Sequence, residues 1–70
     1  MWIMSQDGNL LCNASAVWVC EKKLMCETFT SEPNSGWTLG EFPTHKIAIE
    51  ALSLIHNWMS VGGKGVFQVR

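Results

Sequence analysis

The segment THKIAIEALSLIHNWMSV, residues 44–61, is followed by Gly62 and Gly63 and decides the fold of this 70-residue chain. Rotating each residue about 100° round an axis gathers its apolar side chains on one arc of roughly 180°. Thr44 is the expected N-cap, because its hydroxyl can accept from a free N–H group of the first turn, and Pro43 precedes it. The two glycines can adopt the left-handed conformation that ends a helix. The segment therefore predicts the long helix of the chain.

The apolar arc of this helix is wider than packing on one sheet requires, since ~100° to 140° would suffice. Its members are Ile47, Ala48, Ala51, Leu52, Leu54, Ile55, Trp58, Met59 and Val61. Two interpretations stay open. In the first, the helix is sunk deeply into a curved sheet. In the second, one flank packs on the sheet and the other, near Leu54, Trp58 and Val61, packs on a second subunit.

The remainder of the chain reads as short strands separated by turns. The predicted strands are Met1–Ser5, Leu10–Cys12, Ala16–Cys20, Leu24–Phe29, Trp37–Phe42 and, after the helix, Val66–Val69. The turn signals are Asp7-Gly8, Glu21–Lys23 and Thr30–Gly36, Asn13–Ser15 is expected to be a break, and Gly40 is expected at a bulge or close contact. We therefore predict one α+β domain over residues 1–70. It is an antiparallel meander of about five short strands, with one long helix packed across one face and a short final strand at an edge.

The third predicted strand is apolar on both faces. Val17 and Val19 point one way, and Trp18 and Cys20 point the other, because side chains alternate along a strand. This pattern predicts a central strand, or a sheet that is covered on both sides.

The composition predicts self-association. The chain is 47% hydrophobic and 16% charged, and it contains four tryptophans. So small a chain gains little net free energy from its own core, because the conformational entropy lost on folding offsets most of the burial. A homo-oligomer is expected, with a dimer favoured, and an unknown protein partner is the alternative. The expected contact residues are Leu54, Trp58 and Val61 of the helix, together with Trp37.

Charge and hydropathy argue against two other classes of partner. The net charge is −1, with five Lys or Arg against six Asp or Glu, so the basic face that nucleic acid requires is not expected. The longest uninterrupted apolar run, Ala16–Cys20, is far too short to span a bilayer. No basic region followed by a long apolar region marks a signal peptide at the N-terminus, so a cytoplasmic location is expected.

Cysteines and histidines give no specific site. Cys12, Cys20 and Cys26 all fall in predicted strands, where buried thiols are the ordinary expectation. Cys20 and Cys26 flank a hairpin tip, and a disulfide between them stays open for an oxidising compartment. His45 and His56 are 11 residues apart, or about 16 Å along a helix, too far to share one ion. No metal, cofactor or catalytic residue is predicted.

The two ends of the chain carry a further pattern. The residues concerned are Met1-Trp2-Ile3, Ser5-Gln6-Asp7, Leu10, Leu39-Gly40-Glu41-Phe42, Ala48, Ala51-Leu52 and Ile55. In these residues the chain resembles a group of small uncharacterised bacterial and phage-borne proteins, which open M-W-I-x-S-Q-D and end in an L-G-x-aromatic strand plus an amphipathic helix. The resemblance implies a compact α+β domain and a prophage or mobile-element setting, and it assigns no activity. The chain departs from the group at His45-Lys46-Ile47, where the group carries acidic and basic residues.

Three functional hypotheses follow, in decreasing order of weight. The first is a non-enzymatic interaction or structural module that self-associates by burying apolar surface. The second is a small binding domain that holds an apolar ligand between helix and sheet, using Met25, Met59 and Phe67. The third is a thiol-dependent enzyme, which would need a cysteine of depressed pKa beside a histidine.

Overall fold

The computed structural model describes residues 1–28 and 36–70. These residues form β1 (Trp2–Met4), β2 (Leu11–Cys20), β3 (Lys23–Thr28), β4 (Trp37–Glu41), α1 (His45–Ser60) and β5 (Val66–Gln68). The predicted α+β class, with one helix across one face of the sheet and a short final strand, is confirmed. Apart from Gly36, the predicted loop Thr30–Gly36 lies outside the described residues, as does Phe29.

Helix α1 begins and ends where its sequence predicts. The Thr44 hydroxyl accepts a hydrogen bond from the Ile47 N–H at 3.1 Å, so Thr44 is the N-cap. Beyond the C-cap residue Val61, Gly62 and Gly63 have φ values of 112° and 55°. This region of φ strongly favours glycine, and the chain turns there towards β5.

The strands form one mixed sheet in the order β4-β3-β2-β1-β5. Strands β1 to β4 are an antiparallel meander, and β5 lies at an edge, parallel to β1. A parallel neighbour requires a connection that crosses the sheet, and α1 supplies it. In the described residues the meander therefore has four strands, and the short final strand is the fifth.

The predicted break at Asn13–Ser15 is wrong, because β2 runs without interruption from Leu11 to Cys20. Its register against β3 shifts between Ala14 and Ala16, so Ser15 is a bulge residue. The Ser15 hydroxyl donates to the Glu27 carbonyl at 3.0 Å, which holds the bulge against β3. The composition of Asn13–Ser15 predicts a break, but in the structure the strand bends at the bulge and continues.

The core lies between α1 and the face of the sheet that it covers, mainly over β2 and β3. Its buried apolar residues are Ile3, Cys12, Ala14, Leu24, Cys26, Leu39, Phe42, Ala48, Ile55 and Val69. As predicted, β2 is a central strand, with Val17 and Val19 half-buried on the helix side. Trp18, on the other face, is exposed, so α1 covers only one of the two apolar faces of β2.

The sheet curls so that β4 meets the turn after β1. The Gln6 N–H donates to the Leu39 carbonyl at 2.7 Å, and the Glu41 N–H donates to Gln6 Oε1 at 3.1 Å. Between them Gly40 is buried, and a Cβ added there would lie 3.2 Å from Gln6 Cβ and from Val69 Cγ1. The predicted close contact at Gly40 is confirmed, and the lack of a side chain lets these segments meet.

Replacing Gly40 tests this closure. We expect Gly40→Val to lower the free energy of unfolding by roughly 1–3 kcal/mol, because the new methyl groups must displace Gln6 and the buried Val69. Urea unfolding followed by tryptophan fluorescence measures it. Thr38→Val, at an exposed position of the same strand, is the control and should change stability by less than ~0.5 kcal/mol. Equal stability of the two variants would contradict the close contact.

Candidate interaction surface

Helix α1 carries two apolar stripes, of which the sheet covers one. The inner stripe is Ala48, Leu52 and Ile55, spaced by 4 and 3 residues. Ala48 and Ile55 are buried, and Leu52 is half-buried. A spacing of 3 and 4 keeps side chains on one line along a helix, so this stripe holds α1 on the sheet.

The outer stripe is Ile47, Ala51, Leu54, Trp58 and Val61, spaced by 4, 3, 4 and 3 residues. It lies roughly 100° round the helix from the inner stripe. Leu54 is 60% exposed and Val61 is 84% exposed, while Ala51 and Trp58 are half-buried. The alternation of 4 and 3 keeps these side chains on one line, as in the inner stripe, and suits packing against a sheet or against another helix. The rest of the chain leaves the outer stripe largely uncovered.

Of the two interpretations of the wide apolar arc, the structure contradicts the deeply sunk helix, and packing on a second subunit stays a prediction. Only Ala48 and Ile55 of the helix are buried, so α1 lies on the sheet and is not sunk into it. The flank at Leu54 and Val61 is exposed in the single chain.

A groove separates the outer stripe from β5. Its volume is about 490 Å³, and its lining residues are Ala51, Leu54, Trp58, Val66, Phe67, Gln68, Val69 and Arg70. Trp58 and Phe67 meet across it, with ring centroids 5.5 Å apart and planes tilted by 55°. Leu54 and Val66 line the groove and are both at least half exposed, so it is open to solvent. Arg70 is the charged residue among those lining it.

The edge of β5 lies beside this groove. The Val69 N–H, just after β5, donates to the Met4 carbonyl of β1 at 3.0 Å. Alternate residues of a parallel strand direct their backbone groups to opposite sides, so Val66 and Gln68 direct theirs away from β1. An edge with free backbone groups is a template for another strand. Groove, outer stripe and edge thus form one continuous surface.

The four predicted contact residues fall in two places. Leu54 and Trp58 line the groove, and Val61 extends the outer stripe. Trp37 is 50% exposed but lies on β4, the other edge strand, paired with Cys26. The structure thus brings the three helix residues together and places Trp37 apart from them.

Sequence reasoning missed two parts of this surface. Ile47 was grouped with the whole apolar arc, although its spacing of 4, 3, 4 and 3 to the residues that follow marks it as the start of the outer stripe. Val66 gave no signal of its own, because only the pairing of β5 with β1 shows that the last strand lies beside the helix. The ligand hypothesis included Met25, which lies on the sheet face opposite α1, where the Thr38 hydroxyl donates to its sulfur at 3.4 Å.

Cys12 and Cys26 are buried in strands, as the sequence predicts, and Cys20 is not. Cys20 is exposed and pairs with Lys23 beside the hairpin tip, on the face of the sheet opposite Cys26. The alternative of a Cys20–Cys26 disulfide is therefore wrong. Cys12 and Cys26 are buried instead, with their sulfur atoms 3.1 Å apart. Burial, aided by the neighbouring Cys12, raises the pKa of the Cys26 thiol to about 12.

The histidines lie near opposite ends of α1. His45 Nδ1 lies 2.6 Å from the Glu21 carbonyl oxygen and joins the helix start to the hairpin tip between β2 and β3. A polar depression of about 410 Å³ at this end is lined by Glu21, Lys22, Lys23, Glu41 and His45. Within residues 1–28 and 36–70, no group of three or more His, Cys, Asp or Glu side chains is arranged to hold a metal ion.

Comparisons with protein-family models, curated proteins and solved structures find no match for this chain. The resemblance of its two ends to small bacterial and phage-borne proteins stays a prediction. In the part of the chain that the structure describes, no helix has the length and apolar character needed to cross a membrane. The class that the fold defines is a five-stranded α+β domain with an uncovered apolar helix flank.

Thiol reactivity distinguishes the three cysteines. In the native protein at neutral pH, we expect a thiol-specific chromogenic disulfide to react with one thiol per chain, because only Cys20 is exposed. Cys12 and Cys26 should react only after the chain is denatured, because both thiols are buried and the pKa of Cys26 is raised. Cys20→Ser is the control and should abolish the rapid phase. A thiol that still reacts rapidly in the Cys20→Ser variant would contradict this assignment and favour the thiol-enzyme hypothesis.

Proposed function

We propose that this protein is a non-enzymatic interaction module that forms a homodimer through the outer stripe of α1. The observation that carries the proposal is the outer stripe. It is exposed along a 16-residue helix, and its spacing of 4 and 3 suits packing against another helix. The partner that covers the outer stripe of one copy is the outer stripe of a second copy of the chain. The groove beside it and the edge of β5 complete the interface.

The exposed side chains supply a driving force for this association. Leu54 and Val61 are among the most exposed large apolar side chains of the described residues, and Val66 is half exposed across the groove. Fully burying one such side chain contributes about 1.5–3 kcal/mol, and a two-fold dimer buries each residue twice. Lys46 lies roughly 100° round the helix from the outer stripe, and Glu50 borders the stripe beside Ile47 and Leu54. Glu50 is exposed there, so pairing two outer stripes leaves it at the rim of the interface.

The size of the surface suits a dimer of a small chain. A stable interface buries about 800 Å² per partner, roughly a sixth of the 4736 Å² that this chain exposes. Helix α1 is about 24 Å long, and its outer stripe runs the full length. Trp58 lines the groove and is half-buried, and tryptophan is enriched at the centre of interfaces.

A two-fold axis beside α1 satisfies these requirements together. Both copies then contribute the same residues, so one exposed stripe needs no second, complementary patch elsewhere on the molecule. Antiparallel or slightly crossed helices place Leu54, near the middle of the outer stripe, against its counterpart. The adjoining β5 edges are then close to the same axis, and their outward backbone groups are covered.

A charge placed in the outer stripe tests the proposal. We expect Leu54→Glu to weaken the dimer by roughly 100-fold or more, because two carboxylates would be buried face to face. Light scattering after size exclusion, over a wide range of concentrations, measures the mass. The matched control is Ile49→Glu, which places the same charge at an exposed apolar position on the other side of α1.

Both variants, Leu54→Glu and Ile49→Glu, replace an exposed apolar side chain of α1 with a glutamate, so they differ only in the position of the new charge. A wild-type dimer that persists in Ile49→Glu and dissociates in Leu54→Glu supports the outer stripe as the interface. A wild-type protein that stays monomeric at high micromolar concentration refutes the proposal. So does a Leu54→Glu variant that retains the dimer with an unchanged circular dichroism spectrum.

The groove favours a second candidate, a small domain that binds an apolar ligand. Its volume of about 490 Å³ lies in the range of small-molecule sites, and its aromatic floor is formed by Trp58 and Phe67. Of the residues expected for such a site, Phe67 lines the groove. Met59, although exposed, is not among the lining residues.

A fluorescent apolar probe separates this candidate from the dimer. If the groove is a ligand site, anilinonaphthalene sulfonate should bind a monomer saturably, one molecule per chain, and Phe67→Ala should weaken its binding about tenfold through loss of the aromatic floor. Fluorescence titration at a concentration where the mass is that of one chain measures this. Unsaturable binding, or none, would remove the candidate.

A further inference from the structure

A second feature, independent of the interaction surface, is the pair of core thiols. The sulfur atoms of Cys12 on β2 and Cys26 on β3 lie 3.1 Å apart. Along the ladder, Cys26 is opposite Val17, and Cys12 pairs instead with Ile3 of β1. The two thiols meet because β2 turns at the Ser15 bulge, which brings its first half over the covered face of β3.

We propose that Cys12 and Cys26 form a two-electron redox site, which a small peroxide oxidises to a disulfide within the chain. Bond formation requires the sulfur atoms to approach by about 1 Å, since a disulfide bond is close to 2.05 Å long. Both side chains project from strands of the same curved sheet into its core. Rotation of the thiols, with small adjustment of the strands, supplies the movement.

The reaction balances with peroxide as the oxidant. The Cys12 sulfur attacks one peroxide oxygen, the O–O bond breaks, and the Cys12 proton leaves with the released oxygen as water, giving a sulfenic acid. The Cys26 sulfur then attacks the Cys12 sulfur. The S–O bond breaks, and the Cys26 proton leaves with the hydroxyl group as a second water. The two thiols lose two electrons, and the peroxide gains them.

Burial sets the order of these steps. Cys12 is 5% exposed and Cys26 is fully buried, so a small neutral oxidant reaches Cys12 first. Burial also raises the pKa of Cys26 to about 12, which keeps its thiol protonated and unreactive towards oxidants in solution. Cys26 is therefore the resolving thiol. Its sulfur is already in contact with that of Cys12, so the second step needs no encounter with a separate molecule, and the Cys26 proton passes to the leaving hydroxyl group.

The bond would join β2 and β3 on either side of their hairpin tip. It closes the chain between residues 12 and 26, which restricts the unfolded state and slows the separation of the central strands. Neither cysteine lies on α1 or β5, so the redox site shares no residue with the outer stripe. The proposals of a redox site and of a homodimer can therefore be tested independently of each other.

The test uses the full chain with Cys20→Ser, which removes the exposed thiol and the disulfide it would form between chains. The folded protein is treated with hydrogen peroxide, denatured with an alkylating reagent, and mapped by peptide mass. We expect one product that has lost two hydrogen atoms, has no alkylated cysteine and contains a Cys12–Cys26 cross-linked peptide. The oxidised protein should have a higher urea midpoint, and a reductant should restore both thiols.

A second variant, Cys12→Ala in the same background, completes the test. It should form no cross-link, and its remaining Cys26 should stay unoxidised under the same treatment because it is buried. Two results would overturn the proposal. One is full alkylation of Cys12 and Cys26 after treatment of the folded protein. The other is a cross-link that forms only when the chain is oxidised in denaturant.

Discussion

The packing of the inner stripe of α1 on β2 and β3 is the constraint on which the rest of the structure depends. Ala48 and Ile55 are the buried residues of the helix, and they belong to the same buried core as Leu24 and Cys26. Ala48 is fully buried and Ile55 is 2% exposed, so both side chains are packed tightly between the helix and the sheet. This contact fixes the rotation of α1, and the rotation decides which side chains are left exposed.

From that rotation the functional proposal follows. A helix whose apolar arc spans roughly 180° cannot bury all of it on a single sheet, so fixing one stripe leaves the other uncovered. The return strand β5 lies on the side of the uncovered stripe, and their separation forms the groove. The bulge at Ser15, which does not line the groove, bends β2, and the thiol pair lies inside the core. One helix contact and one strand bend thus account for both proposed sites.

The sequence predicts the parts of this structure that depend on neighbours along the chain. The ends of α1 follow from Thr44 and the two glycines, and the two-sided apolar pattern of β2 follows from Val17 and Trp18. Parts that depend on distant residues were not predictable. Asn13–Ser15 has the composition of a break, and only pairing with β3 makes it a bulge. The meeting of Cys12 with Cys26, rather than Cys20, depends on that same bend.

The central claim is that the outer stripe of one copy contacts the outer stripe of another. Isotope-filtered nuclear Overhauser spectra of a sample mixed from labelled and unlabelled protein test it most directly, because they report only contacts between chains. The account predicts contacts between chains from the methyl groups of Leu54 and Val61, including contacts to the Trp58 ring. Contacts between chains that arise only from Trp18, on the face of the sheet opposite α1, or from Trp37, on the edge strand β4, would contradict it.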